Sequence, residues 1–166
     1  MSEETKTEEK KTEGTASSDM KGVLAQLEAI LDEYMVKKAP FAIPQNGKDL
    51  IVKVAPYLVI VMAIIAVPAL LAGLGLSALL APFALLGGHY GVAAFISFVF
   101  AAISLVLDLL AIPGLFARSA RGWRLSYYAT LVGLVGNILS FNVIGGLVGA
   151  IIGWYILFQV KDMYTN

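Results

Sequence analysis

LSYYATLVGLVGNILSFNVIGGLVGAIIGWYILFQV, residues 125–160, runs for 36 residues without a charged side chain. As one helix it would extend about 54 Å, against a hydrocarbon core of about 30 Å. The stretch therefore predicts a fold back on itself, and Ser140, Phe141 and Asn142 mark the turn. Two short crossings result, 124–140 and 143–160.

Upstream, residues 55–76 and 91–112 are each apolar over about 22 residues, the length a crossing helix requires. Pro68 inside the first removes one backbone hydrogen bond and predicts a kink. Between them, 76–86 is apolar but broken by Ser77 and Pro82 and closed by Gly87 and Gly88, too short to cross alone. It reads as a helical cap or a re-entrant piece. Pro113 and Gly114 stop the second crossing ahead of a basic turn, Arg118 to Arg124. The fold class is all-α: residues 50–166 form a polytopic bundle of four transmembrane helices.

Composition agrees. Of the 166 residues 58% are hydrophobic and only 14% charged, where soluble domains carry about a quarter charged. The formal net charge of zero hides an asymmetry, since Val54 to Val160 holds only Asp108, Arg118, Arg121 and Arg124. All twelve lysines and arginines lie in the N-terminal segment, in 118–124 or at Lys161, and none in the opposite loops. With four crossings this bias puts both termini and the central turn on the cytoplasmic side. Tyr57, Trp123, Tyr127, Tyr128, Trp154, Tyr155 and Tyr164 gather towards the same ends, as an interfacial belt would. No secretory leader pattern is visible at the start, so the first apolar segment is expected to act as an uncleaved insertion signal.

The N-terminal arm divides in three. Residues 1–18 are rich in Glu, Lys, Thr and Ser and bury too little apolar surface to offset ordering, so a disordered polar tail is expected. Over 19–38, Met20, Val23, Leu24, Leu27, Ile30, Leu31 and Tyr34 recur at helical spacing, with Ser18 or Asp19 as cap and Pro40 and Pro44 as stops. Residues 39–49 form the linker. The polar face of the helix carries Glu28, Asp32 and Glu33, whereas helices that seek a membrane surface carry lysine and arginine. This cytoplasmic amphipathic helix is therefore expected to contact protein, either its own bundle or a cytoplasmic or membrane partner across Leu24, Leu27, Leu31 and Tyr34.

Within the body, Gly145, Gly149 and Gly153 form a GxxxGxxxG run, whose small residues let backbones approach closely in lipid. Its partner is a helix of the same chain or a second copy in a homo-oligomer. Ala94, Ser97, Ala101, Ser104 and Asp108 align on one side of the second crossing, where Asn137 of the third, with Gly133 and Thr130, is placed to meet them. An intramembrane carboxylate costs at least about 2.5 kcal/mol, which makes Asp108 a candidate proton- or cation-handling group. The bland alternative is a structural Asp near the inner end of the helix. Arg118, Arg121 and Arg124, with Trp123, suit anionic lipid headgroups or serve topology alone.

The chain has no cysteine and one histidine, His89, read as a loop residue without metal-ligating neighbours. No phosphate loop, nucleophile elbow, zinc-protease or dinucleotide pattern occurs, so no enzyme, cofactor or metal is expected. Nucleic acid is not an expected partner either, because the tail alternates Glu with Lys.

The order of acidic amphipathic helix, Pro-containing linker and apolar body, with IPGLFARSARGWRLSYY at 112–128, resembles a group of small uncharacterised bacterial multi-pass membrane proteins. The resemblance spans about residues 20–164 and implies a bacterial inner membrane and no known activity. The function expected is a scaffold, accessory subunit or assembly factor acting through helix packing. The alternative is a small oligomeric channel or carrier using the Ser97, Ser104, Asp108 and Asn137 face.

Overall fold

The computed structural model describes residues 3–39, 41–84 and 89–165, with only the backbone given for 3–17, 77–78, 80–84 and 89–90. Among the described residues the protein is all-helical. It divides into two units, 1–40 and 41–166.

The first unit is one long helix, α1 (Glu3–Asp32), which loosens into a π-helical stretch, Glu33–Lys37. There the Lys38 amide donates to the Glu33 carbonyl at 2.9 Å, and the Lys38 ammonium pairs with the Glu33 carboxylate at 2.8 Å. The helix begins well ahead of the expected start at residue 19, so the backbone of 3–18 is helical where a disordered tail was expected. A polar composition rules out a core, but Glu and Lys are themselves strong helix formers. The π stretch also takes Tyr34 out of the regular helical spacing assumed for it.

The second unit holds four helices: α2 (Gln45–Ala84), α3 (His89–Phe116), α4 (Ala120–Leu139) and α5 (Val143–Gln159), followed by a 3₁₀ turn, Lys161–Met163. The extensive packing is between consecutive helices. Two stretches, Gln45–Leu76 and Gly91–Phe116, are long and apolar enough to cross a membrane, and only 6% of either window is buried. A core helix of a water-soluble protein would be mostly buried. Instead Val61, Met62, Ile64, Ile65 and Leu71 of α2 are each at least half exposed, an apolar surface of the kind that marks a membrane or protein contact. The apolar α5 is shorter, 17 residues.

Several sequence expectations are corrected. Residues 76–84 continue α2 as unbroken helix with no re-entrant reversal, because Ser77 does not interrupt a run rich in Ala and Leu. The linker ends at Pro44 instead of residue 49: the Pro44 carbonyl accepts from Gly47 at 2.8 Å and Lys48 at 3.0 Å and so opens α2. Helix α3 runs through Pro113 to Phe116, since a proline so near the C-terminus costs one hydrogen bond of the final turns. The basic loop shrinks to Ala117, Arg118 and Ser119, and Arg121, Trp123 and Arg124 lie on α4. His89, expected in a loop, is the first residue of α3.

Both tight turns end a helix in the same way. The Ser119 amide reaches back to the Gly114 carbonyl at 2.8 Å and Arg118 to Leu115 at 3.2 Å, with Arg118 left-handed at φ 50°. At the second turn Asn142 donates to Asn137 at 2.9 Å and Phe141 to Ile138 at 3.1 Å, with Phe141 at φ 61°. These are Schellman caps in which a bulkier residue stands where glycine is usual. Ser119 serves both sides of its turn: its hydroxyl donates to the Gly114 carbonyl and accepts from the Gly122 amide, each at 3.2 Å, capping α4 as it closes α3.

Candidate functional site

Helices α3 and α4 meet at two glycines. A Cβ on Gly114 would lie 2.6 Å from the Gly122 Cα, and a Cβ on Gly122 would lie 2.6 Å from the Leu115 amide nitrogen. Both clashes are with backbone, so only glycine permits the approach. Further along, the Ser104 hydroxyl donates to the Ala129 carbonyl at 3.0 Å and fixes the rotation of α3 against α4.

This crossing opens a cavity of about 560 Å³ between α2, α3 and α4. Ser97, Ser104, Asp108 and Asn137, the four residues read from sequence as one polar face, all line it. Leu58 and Met62 of α2 supply apolar wall opposite, and Gly133 and Gly136 keep the α4 side open. The four do not have equal freedom. Ser104 is held by Ala129, and the Asn137 amide donates to the Gly133 carbonyl at 2.8 Å while its oxygen accepts from Asn142 at 2.9 Å. Ser97 and Asp108 make no hydrogen bond or ion pair among the described residues, so their polar groups are the least committed of the four, while Ser104 keeps acceptor capacity and Asn137 a second N–H. A second, smaller cleft between α2 and α3, lined by residues such as Ile64, Val67, Leu109 and Ile112, is apolar.

The glycine run of α5 does not do the packing inside this chain. Gly145 and Gly149 are exposed, a Cβ on Gly149 would meet nothing within 4 Å, and one on Gly153 would only touch Thr130 at 3.5 Å. The close approach to α4 is made by Gly146, where a Cβ would run into the Asn137 side chain, and by the buried Ala150. One residue of offset is 100° of helix rotation, so spacing alone does not say which of two adjacent glycines faces a neighbour.

Most of the expected belt is core. Trp123, Tyr127, Trp154 and Tyr164 are buried, with Trp123 stacked on Tyr127 at 5.8 Å and edge-on to the buried Phe158, which was not part of the belt, at 5.2 Å. The Trp123 indole donates to the Leu157 carbonyl at 2.7 Å, joining α4 to α5, and Lys161 lies over the Trp123 ring at 5.1 Å. Tyr57 remains exposed and meets Phe116 edge-on at 5.2 Å. Arg118, Arg121 and Arg124 are exposed, while Trp123, grouped with them by sequence, turns inward. Burial raises the Tyr164 phenol above the usual tyrosine range, and the nearby Arg118 charge opposes that shift.

Gln159 was missed, and Tyr155, read as part of the interfacial belt, has a further contact. Gln159, only 2% exposed, accepts from the Ile43 amide at 3.3 Å, and the Tyr155 hydroxyl donates to the Phe41 carbonyl at 2.5 Å. They latch the segment before α2 onto the end of α5. The available signal was a lone amide in the otherwise apolar run between Asn142 and Lys161.

On the first unit, Leu24, Leu27 and Leu31 lie on α1 and Tyr34 on the π stretch, where Lys38 sits over its ring at 4.7 Å. Met20, Val23, Ile30 and Tyr34 are each more than half exposed. No group of three potential metal-ligating side chains occurs among the described residues. Comparison with family models, with curated proteins and with solved structures returned no match.

Proposed function

We propose that the protein is a multi-pass membrane protein of a bacterial inner membrane that acts without enzymatic chemistry, as a scaffold, accessory subunit or assembly factor. Four helices, α2 to α5, cross the bilayer, with both termini and the turn at 117–119 in the cytoplasm. Of the expected contact face only Tyr34 is exposed, Leu24 and Leu27 being half-buried and Leu31 buried, so the observation that carries the partner-binding role is the exposure of the adjoining Met20, Val23 and Ile30 with Tyr34 on a helix whose polar side is acidic. An apolar stripe flanked by Glu28, Asp32 and Glu33 suits a protein groove better than an anionic leaflet. The arginines at 118, 121 and 124 are placed for anionic headgroups, and the outward Gly145 and Gly149 leave α5 a smooth face for a second copy.

Because the chain has no cysteine, single-cysteine labelling tests the topology cleanly. Ser18→Cys and Thr165→Cys should react only after the membrane is opened to the cytoplasmic side, and Asn142→Cys from outside. Labelling of all three from one side would refute the four-crossing arrangement. For function, crosslinking in native membranes should attach a second protein species to the full chain and not to a chain lacking residues 1–38. Recovery of self-dimers alone would sink the hetero-partner role.

A second reading, a small channel or carrier, is favoured by the convergence of Ser97, Ser104, Asp108 and Asn137 on one cavity. It predicts flux in reconstituted vesicles that survives deletion of the arm.

A further inference from the structure

The cavity between α2, α3 and α4 combines three properties that together select a ligand class. Its volume of about 560 Å³ lies within the roughly 300–1,000 Å³ range of small-molecule sites and far exceeds what a bare ion fills. Among the described residues Asp108 is the only ionisable side chain lining it, and no cation or donor satisfies that carboxylate. The rest of the wall is mainly hydrocarbon, with the Phe100 ring, Met62 and Leu105 beside the polar strip.

From this geometry we infer that the cavity binds a lipophilic organic monocation, such as an amine or a quaternary onium ion with an aromatic or aliphatic body. A carboxylate in a low-dielectric surrounding is costly unless paired, so a monocation seated beside Asp108 removes an existing penalty. The cation's apolar body fills a wall that offers few hydrogen bonds, with Phe100, Met62 and Leu105 among its lining residues. The free Ser97 hydroxyl accepts an N–H where the ligand has one. Anions meet a like charge, and sugars or polyols need more donors and acceptors than four polar side chains in a mainly hydrocarbon wall supply. Divalent metals are disfavoured because calcium and magnesium require about six or more oxygen ligands, and the described lining offers one carboxylate.

The site rests on the polar-face reading of the body given above, but binding and flux are separate measurements. Full-length protein in zwitterionic lipid nanodiscs would be titrated with radiolabelled tetraphenylphosphonium. Saturable binding of one ion per chain is expected, weakened at least tenfold by Asp108→Asn and retained within a few-fold by Asp108→Glu. Ala101→Phe, which fills the cavity and leaves the carboxylate intact, should also abolish binding, and it decides the matter if Asp108→Asn does not fold. Triphenylphosphine oxide, of similar bulk but uncharged, should displace the label at least tenfold less well. Non-saturable uptake, equal binding by Asp108→Asn, or equal displacement by the neutral compound would overturn the site. Saturable binding without flux in vesicles would leave the site standing and end the carrier reading.

Discussion

Replacing Gly122 by alanine tests the crossing on which the cavity depends. The added Cβ would sit 2.6 Å from the Leu115 amide nitrogen and 2.8 Å from the Gly114 Cα, and neither atom can rotate away. Restoring a non-bonded separation of about 3.5 Å requires α3 and α4 to part by roughly 1 Å. That movement strains the Ser104 to Ala129 hydrogen bond, now 3.0 Å, and the Ser119 cap, now 3.2 Å. Overpacking costs about 1–3 kcal/mol, with backbone clashes at the upper end, and alanine's helix preference returns up to about 1 kcal/mol. A net loss of about 2 kcal/mol follows, which corresponds to a fall in Tm of roughly 4–8 °C for a chain of this size. Tryptophan fluorescence in detergent micelles is a suitable readout, because Trp123 and Trp154 both lie in the packed core. Gly149→Ala is the matched control: with nothing within 4 Å of its Cβ, it should melt at the wild-type temperature or higher. An unchanged Tm for Gly122→Ala, or an equal loss for Gly149→Ala, would refute the assignment of which glycines pack.

Phe141 holds a left-handed conformation at φ 61° and is 78% exposed, so Phe141→Gly should stabilise the protein by about 1 kcal/mol in chemical denaturation. A loss of stability would mean that the ring has a partner. Gln159→Ala should cost about 1–2 kcal/mol by leaving the Ile43 amide unpaired, and should speed hydrogen exchange at Ile43 at least tenfold while exchange in α4 is unchanged. Uniform acceleration throughout the body would show that Gln159 supports the bundle as a whole and is not a local latch.

The all-helical class and the hairpin turn at 140–142 were legible because a 36-residue uncharged run leaves little choice of where to reverse. The polar face was legible for a related reason: three- and four-residue spacing put Ser97, Ser104 and Asp108 on one side wherever the helix ended. Rotation about a helix axis was not legible. Gly146 and Ala150 pack while Gly145 and Gly149 do not, and both pairs have the same spacing. Nor does composition separate an aromatic ring at a lipid interface from one in a protein core, which is why Trp123 and Trp154 were misplaced. Helix ends shifted where a single proline was given more weight than the surrounding Ala and Leu, as at Pro113. The strap at 41–43 escaped notice because its partners are more than a hundred positions away.

That distance has a consequence for the order of assembly. Helix α3 finds α2, α4 finds α3 and α5 finds α4, so each segment meets a neighbour that the ribosome has already delivered. The strap is different. Phe41 and Ile43 are made early, yet their partners Tyr155 and Gln159 lie 114 and 116 residues later. The latch therefore closes only after α5 has been synthesised and docked. A chain stalled before residue 155 would carry the segment ahead of α2 unfastened, so fastening marks the completed body.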